Sequence, residues 1–272
     1  MQLSSSIRRV LFTVCLCLAA GAAHAQAPQA PAKPFEPTVG QGGKDVVWVP
    51  TPQALVDKML EMAKVTPRDY LIDLGSGDGR TVITAAKRGV RALGIEYNPD
   101  MVELSIRNAA AAGVSDKASF VKADIFESDF SKATVITMFL LPDLNLRLRP
   151  TLLDLAPGTR LVSNSFRMDT WEPDETVTVT EDCVSWCTAL FWIVPAKVAG
   201  TWRLPQGDLT LTQEFQMISG TLGSTPISNG RLRGNEITFT VGDVQYSGQV
   251  NGASMEGTVK GRTNGKWSAT RR

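Results

Sequence analysis

Residues 71–80 read LIDLGSGDGR, and this stretch decides the fold. A short apolar run with an acid at Asp73 leads into a loop with glycine at every second position, and residues 81–87 after it read as a helix. A strand, a tight glycine turn and a helix N-terminus together form the arrangement that cradles nucleotide-like ligands. Glycine suits such a loop because a Cβ atom would keep the backbone away from the ligand. The stretch therefore predicts a ligand-binding α/β domain.

The spacing of the glycines separates the ligand classes. The dinucleotide fingerprint Gly-x-Gly-x-x-Gly/Ala fits poorly, because its last position falls on Arg80. A phosphate-binding P-loop requires Gly-Lys-Ser/Thr, which does not follow here. The remaining pattern, Asp-x-Gly-x-Gly-x-Gly, resembles the class I S-adenosylmethionine (SAM) methyltransferases, and the resemblance covers about Val47 to Pro195. It implies SAM as the cofactor and methyl transfer as the reaction.

Acidic residues at the ends of the next two predicted strands agree with this resemblance. Glu96 ends a strand about 20 residues beyond the glycine loop, where an acid can accept hydrogen bonds from both ribose hydroxyls. The resemblance implies that Asp124 and Ile125, after the third strand, face the adenine, and that Asp73 meets the cationic amino-acid end of SAM. The loop residues expected around the cofactor are Gly75, Ser76, Gly77 and Gly79. The alternative is a sugar- or nucleotide-binding α/β domain in which these acids are incidental.

The N-terminus has the pattern of a secretory signal peptide. Arg8 and Arg9 precede an apolar run over residues 10–20, which is too short to span a membrane, and Ala23-His24-Ala25 is a small-x-small cleavage site. We therefore expect a signal peptide over residues 1–25, cleavage after Ala25 and a periplasmic or secreted protein. Residues 26–44, rich in Ala, Pro, Gln and Gly, predict a disordered linker.

Cleavage would restrict the chemistry of the mature chain. The only histidine, His24, would leave with the signal peptide, so no imidazole base, Ser-His-Asp triad or histidine metal ligand is expected. Without Arg8 and Arg9, the 28 basic residues fall to 26 against 27 acidic ones, so general nucleic-acid binding is not expected.

The two cysteines that follow the predicted signal peptide, Cys183 and Cys187, are too few for a structural zinc site. We therefore expect no metal. Export to an oxidising compartment favours a disulfide between them, across the turn that joins the last two strands of the catalytic domain. Two free thiols are the alternative.

Alternation of strands and helices predicts the architecture of residues 45–198. We expect an α/β fold with a parallel sheet and helices on both faces. The resemblance implies that it is the Rossmann-like sheet of the class I methyltransferases. Two β-rich runs, 176–180 and 189–194, predict the antiparallel hairpin that closes such a sheet. An open sheet binds its ligand at the carboxyl ends of its parallel strands, where the acids described above lie.

The composition changes near Ala199. Residues 199–272 lack a helical period and predict a small all-β antiparallel domain, either a barrel or a sandwich. Its expected strands include 209–216, 231–241, 245–250, 255–260 and 267–272. We expect this domain to fold by itself and to be dispensable for SAM binding. It is either a stabilising or self-associating appendage or a ligand- or wall-binding module.

The fourth strand indicates the methyl acceptor. Residues 137–145 read TMFLLPDLN and lack the Asn/Asp-Pro-Pro-Tyr motif of DNA amino-methyltransferases and glutamine methyltransferases. Leu-Leu-Pro-x-x-Asn at 140–145, Val-Pro-Thr-Pro at 49–52 and Trp-x-Pro at 171–173 are similar to another group. That group comprises the lysine methyltransferases of the mitochondrial ATP synthase c subunit and the ADP/ATP carrier, with their bacterial relatives. The export signal and the C-terminal β domain distinguish this chain from it.

The sequence thus predicts an exported SAM-dependent methyltransferase whose acceptor is an amine, with a lysine of an envelope or membrane protein preferred. Methyl transfer to a neutral amine depends on positioning, and an apolar cleft mouth, expected to be lined by Phe139, Leu140 and Leu141, favours loss of the ammonium proton. Asp143 and Asn145 are the candidate catalytic residues that orient the acceptor, and a helix N-cap is the alternative role of Asp143. The alternative function is an exported SAM- or nucleoside-binding protein of methyltransferase fold without turnover.

Overall fold

The computed structural model describes residues 33–261 and 264–272. The predicted signal peptide and residues 26–32 of the predicted linker lie outside the described residues. Residues Phe35–Arg272 form one compact unit that contains both a mixed sheet and a barrel.

The elements follow the predicted alternation. The helices are α1 (Gln53–Met62), α2 (Arg80–Lys87), α3 (Pro99–Ala111) and α4 (Pro142–Leu153). The strands of the first part are β1 (Tyr70–Leu74), β2 (Arg91–Glu96), β3 (Ala118–Lys122), β4 (Val135–Met138), β5 (Arg160–Asn164), β6 (Glu175–Thr178) and β7 (Thr188–Ile193). Among the described residues, no helix combines the length and the apolar character needed to cross a lipid bilayer.

The first seven strands form one sheet in the order β3-β2-β1-β4-β5-β7-β6. Strands β1 to β5 are parallel, whereas β7 runs antiparallel to β5 and pairs with β6 as the predicted hairpin. The central strands β1 and β4 are almost wholly buried because helices cover both faces of the sheet. One face packs against α1, α2 and α3, and the other packs against α4. The predicted α/β architecture is confirmed.

The remaining strands close into an eight-stranded antiparallel barrel. They are β8 (Gly200–Leu204), β9 (Gly207–Glu214), β10 (Met217–Leu222), β11 (Thr225–Arg233), β12 (Glu236–Val241), β13 (Val244–Asn251), β14 (Ser254–Lys260) and β15 (Gly265–Arg271). The expected single strand over 231–241 is wrong, since a turn at Gly234, with φ of 60°, divides it. Apolar residues fill the barrel interior, among them Trp202, Phe239 and Trp267. Of the two predicted forms, the structure is therefore a closed barrel, which leaves no free sheet edge.

The barrel packs against the sheet through the turn between β9 and β10. In that turn, the Phe215 ring stacks on the fully buried Trp171 with centroids 5.8 Å apart, and Gln216 Nε2 donates to the Glu172 carbonyl at 2.8 Å. Arg231 of the barrel also pairs with the buried carboxylate of Asp174 at 2.6 Å. The barrel thus completes the core on one face of the sheet, and its independent folding stays a prediction.

Candidate active site

A cavity of about 240 Å³ opens along the carboxyl ends of the parallel strands. Glu96 at the end of β2 and Asp124 after β3 line one end, and Asp73 of β1 lies at the centre of the sheet. Seven of the eight residues predicted to surround the cofactor line this cavity: Asp73, Gly75, Ser76, Gly77, Glu96, Asp124 and Ile125. The eighth, Gly79, directly precedes α2. The predicted cofactor residues therefore come together where an open α/β sheet binds its ligands.

The glycine loop has a conformation that requires glycine. Gly75, Gly77 and Gly79 have φ of 76°, 54° and 81°, in the left-handed region that side chains rarely adopt. A Cβ on Gly77 would lie 2.8 Å from Nε1 of Trp48, and one on Gly79 would lie 2.8 Å from the Phe120 ring. The loop thus forms a close-fitting backbone cradle beside the N-terminus of α2.

The carboxylate of Glu96 is held in place by two backbone groups. Oε2 accepts a hydrogen bond from the Gly77 N–H at 2.9 Å, and Oε1 accepts one from the Asn98 N–H at 2.9 Å. A carboxylate has about four lone-pair positions, so further donors such as ribose hydroxyls can still be accepted.

Asp124 is bound by a segment that the sequence predicted as part of a linker. Its Oδ1 accepts from the Phe126 N–H at 2.9 Å, and its Oδ2 bonds to Nζ of Lys44, which also lies 4.6 Å above the Tyr97 ring. The hydrogen bond from Lys44, followed by the backbone bond from Phe126, holds the pKa of Asp124 below its ordinary value. Residues 41–48, here called the N-terminal strap, therefore cover the end of the cavity expected to hold adenine.

The strap is folded by its own backbone. The N–H of Trp48 donates to the carbonyl of Gln41, and the N–H of Gly40 donates to the carbonyl of Trp48, both at 2.8 Å. Lys44 and Trp48 line the cavity and were missed from the sequence. The apolar run Val46-Val47-Trp48-Val49 was the available signal, because a tryptophan within such a run seldom stays in solvent.

Asp73 is a buried acid with a strongly altered proton affinity. Its Oδ1 accepts a hydrogen bond from Oγ1 of Thr137 at 2.6 Å. Burial raises the pKa of Asp73 to about 7, the bond from Thr137 opposes this shift, and the charges of Glu96 and Asp78 add to it. A buried carboxylate surrounded by other acids is stabilised by a cationic ligand.

The charge of the lining agrees with such a ligand. Among the residues that the structure describes, five acids line the cavity, Asp45, Asp73, Asp78, Glu96 and Asp124, against two basic residues, Lys44 and Arg80. The guanidinium of Arg80 is bonded to Asp78 and to the carbonyl of Thr51. The excess of acids fits the sulfonium and ammonium groups of SAM, and the glycine cradle and Glu96 fit its nucleoside. Within the described ranges, no group of three or more metal-ligating side chains is present.

The other end of the cavity is apolar. Every lining residue from β4 onward is hydrophobic: Met138, Phe139, Leu140, Leu141, Leu144, Phe166 and Trp186. The Phe139 centroid lies 6.0 Å from those of both Phe166 and Trp186, which lie 5.1 Å from each other. We call these three side chains the aromatic mouth.

The two predicted catalytic residues do not line the cavity. Asp143 is exposed in the first turn of α4, whose N-cap is Leu141, so the alternative role of Asp143 as N-cap is wrong. Asn145 is fully buried, and its Nδ2 donates to the carbonyls of Phe166 at 3.1 Å and Arg167 at 3.3 Å. Asn145 therefore holds the segment that carries Phe166. Phe139, Leu140 and Leu141 were predicted to line the cleft mouth and do line the cavity, whereas Phe166 and Trp186 were missed from the sequence. The aromatic mouth occupies the place expected for Asp143 and Asn145.

The predicted disulfide is present. Cys183 and Cys187 are bonded across the connection between β6 and β7, with their Cα atoms 5.8 Å apart. Trp186 of the aromatic mouth lies inside this short loop.

This strand order, with a glycine cradle after β1 and acids at the carboxyl ends of β1, β2 and β3, defines a class I SAM-dependent methyltransferase. The ANTKMT methyltransferase domain matches residues 73–175. A protein-lysine N-methyltransferase of Saccharolobus islandicus is 46% identical over 139 residues, which are 50% of this chain and 86% of that protein. The chain belongs to this methyltransferase family.

One more distant relative and a solved structure agree with this assignment. A human lysine N-methyltransferase, named for the c subunit of ATP synthase, is 34% identical over 128 residues, and the chain spans about half of its length, 54%. A Salinibacter ruber protein described as an RNA methyltransferase was crystallised with S-adenosyl-L-homocysteine. It is 47% identical, with a TM-score of 0.52 over 55% of this chain and 96% of its own.

Proposed function

We propose that this chain transfers the methyl group of SAM to an amine, with the side chain of a protein lysine as the preferred acceptor. The observation that carries the proposal is the aromatic mouth, which meets the acidic cofactor end of the cavity at the carboxyl end of β4. An aminoalkyl chain can enter such a mouth with its methylene groups against the rings.

Methyl transfer from SAM to an amine requires the protein mainly to align the amine with the methyl group. SAM supplies a methyl group on a positively charged sulfur. Glu96 and Asp124 would bind the nucleoside of SAM, and Asp73 would face the cationic amino-acid end of SAM. The neutral amine attacks the methyl carbon in line: a C–N bond forms, the C–S bond breaks with its electron pair on sulfur, and one proton is released to water. The apolar mouth lowers the pKa of the entering ammonium and so favours its neutral form. Positioning then supplies most of the rate.

The names of the relatives support lysine over other acceptors. The Saccharolobus and human proteins are named as lysine N-methyltransferases, whereas the Salinibacter protein is described as acting on RNA. This chain carries 28 basic and 27 acidic residues, so its net charge is close to zero. A polyanion such as RNA is bound best by a protein with an excess of positive charge. Binding of SAM without turnover is not favoured, because these relatives are all named as methyltransferases.

We also propose that the protein acts outside the cytoplasm, in the periplasm or secreted, on an envelope or membrane protein. The supports are the signal-like residues 1–25 and the Cys183–Cys187 disulfide, which is a bond typical of oxidising compartments. Expression of the full chain in a Gram-negative host, followed by mass spectrometry of the N-terminus, tests this. The proposal predicts a periplasmic protein that begins at Gln26, and an uncleaved cytoplasmic protein would contradict it.

The acceptor class is tested by incubating the purified mature protein with methyl-labelled SAM and three separate fractions: envelope proteins, cytoplasmic proteins and total RNA. The proposal predicts label in envelope proteins, with none above background in RNA. Label confined to RNA would show that the methyl acceptor is a nucleotide and not a lysine. Absence of label from all three fractions would favour binding of SAM without turnover.

A further inference from the structure

The loop Cys183–Cys187 places a tryptophan at the cavity in an unusual conformation. Trp186 is 44% exposed, lines the cavity and has φ of 57°, and Asp182 just before the loop has φ of 53°. Residues other than glycine rarely adopt this region, and they persist there only where surrounding structure holds them. Such a conformation beside an active site is a reason to look for a function of the side chain.

The three walls of the aromatic mouth are held by different means. Phe139 directly follows the buried strand β4. Phe166 is held through its carbonyl, which accepts hydrogen bonds from Ser163 Oγ at 2.7 Å and from Asn145 Nδ2 at 3.1 Å. Trp186 lies on a loop that the disulfide closes at both ends. The third wall therefore depends on a covalent bond that a reductant can break.

We propose that Trp186 is a specificity-determining residue that contacts the aminoalkyl chain of the acceptor, and that the Cys183–Cys187 disulfide is the bond that holds it there. This inference rests on the proposed amine acceptor. Trp186 is partly exposed, so it can meet the acceptor as an ammonium before the amine loses its proton in the apolar mouth. An ammonium group is attracted to the face of an aromatic ring, and tryptophan gives the strongest attraction. Reduction of the disulfide would release Trp186 and weaken acceptor binding, while the cofactor residues at the ends of β1, β2 and β3 would keep their positions.

The first test is the variant Trp186→Ala, assayed with methyl-labelled SAM and the envelope-protein fraction. The expected result is a rise of roughly 3- to 30-fold in the acceptor KM, with the SAM Kd unchanged by calorimetry. Trp186→Phe should recover most of the loss. Ser185→Ala, on the same loop but outside the cavity lining, serves as the matched control and should behave as the parent protein.

The second test asks whether the disulfide acts through Trp186. Treatment of the parent protein with dithiothreitol should raise its acceptor KM, as Trp186→Ala does. The double variant C183S/C187S should have the same raised KM without the reductant. The same treatment of Trp186→Ala should have little further effect, because the group that the disulfide positions is already absent. Equal effects of reduction in both backgrounds, an unchanged acceptor KM in Trp186→Ala, or a changed SAM Kd would each overturn the inference. Failure of the parent protein to label any amine would instead contradict the proposed function itself, so the two failures are distinguishable.

Discussion

The backbone N–H of Gly77 donates a hydrogen bond to Oε2 of Glu96, at 2.9 Å. This bond joins the glycine loop after β1 to the end of β2, and it fixes the carboxylate before any ligand binds. A hydrogen bond to a charged acceptor is stronger than one between neutral groups, so the acid and the loop act as one preformed unit.

Replacement of Glu96 should weaken SAM binding. Each hydrogen bond between a ligand and a charged group contributes about 1.5–3 kcal/mol, so Glu96→Ala should raise the SAM Kd roughly 10- to 100-fold. Isothermal calorimetry measures this, with Glu103→Ala, an exposed position on α3, as the matched control. Equal affinities for Glu96→Ala and the parent protein would rule out Glu96 as a cofactor ligand.

The buried Asp73 should make stability depend on pH. Burial raises its pKa from 3.8 to about 7, so between these values the native state holds a proton that the unfolded chain has released. The free energy of unfolding of the ligand-free protein should therefore fall as pH rises through this range. Since each tenfold change in proton affinity is worth about 1.4 kcal/mol, Asp73→Asn should be more stable than the parent at pH 8, by on the order of 1–4 kcal/mol.

Urea unfolding at pH 4, 6 and 8 checks this expectation, and the advantage of the Asn variant should nearly vanish at pH 4. Its SAM affinity at pH 8 should be lower, because the neutral amide no longer attracts a cation. A stability difference that does not change with pH would show that folding does not raise the pKa of Asp73.

Asn145 should affect turnover through Phe166. Asn145→Ala removes the donor to the carbonyls of Phe166 and Arg167 and leaves both without this partner. Turnover should fall more than SAM affinity, because the displaced ring belongs to the acceptor end of the cavity. The exposed Asp143, on the same helix, provides the comparison, and Asp143→Ala should change turnover much less. Asn145→Ala with full turnover and reduced SAM affinity would contradict this role.

The barrel should stabilise the catalytic part without contributing to cofactor binding. Phe215→Ala removes the ring that stacks on Trp171, so it should cost about 1–3 kcal/mol of stability, which is less than for a fully buried phenylalanine because Phe215 is half-buried. The SAM Kd should stay unchanged, since all the residues assigned to the cofactor precede β8. Thermal unfolding and calorimetry on the same sample separate the two effects. A loss of SAM affinity with unchanged stability would assign the barrel a direct part in the site.

Local patterns predicted the cofactor half of the site. Asp73, Glu96 and Asp124 end consecutive parallel strands, and strand order alone brings such ends to one edge of a sheet. The first half of the strap was missed because the partner of Lys44 lies 80 residues away, and because residues 26–44, rich in Ala, Pro, Gln and Gly, have the composition of a linker. Composition cannot distinguish a solvated linker from a segment held by one distant ion pair.

At the acceptor end, Asp143 and Asn145 were misplaced because of their positions around helix α4. Leu144, Leu148 and Leu152 turn one face of α4 into the core, and Asn145 lies at the edge of that buried face. The motif Leu-Leu-Pro-x-x-Asn indicated the correct region, and the predicted lining by Phe139, Leu140 and Leu141 is confirmed, whereas the two predicted catalytic residues do not reach the cavity. Trp186 reaches the site through the β6–β7 connection, and its place depends on the antiparallel hairpin and the disulfide.

The most direct test of the account identifies the atom that receives the methyl group. Envelope proteins labelled with deuteriomethyl SAM and the purified protein would be digested and sequenced by mass spectrometry, with initial rates measured from pH 6 to 10. We expect deuteriomethyl groups on lysine Nζ, and a rate that rises with pH until the bound amine is neutral. Methyl groups on oxygen or carbon, formed at a rate independent of pH, would contradict it.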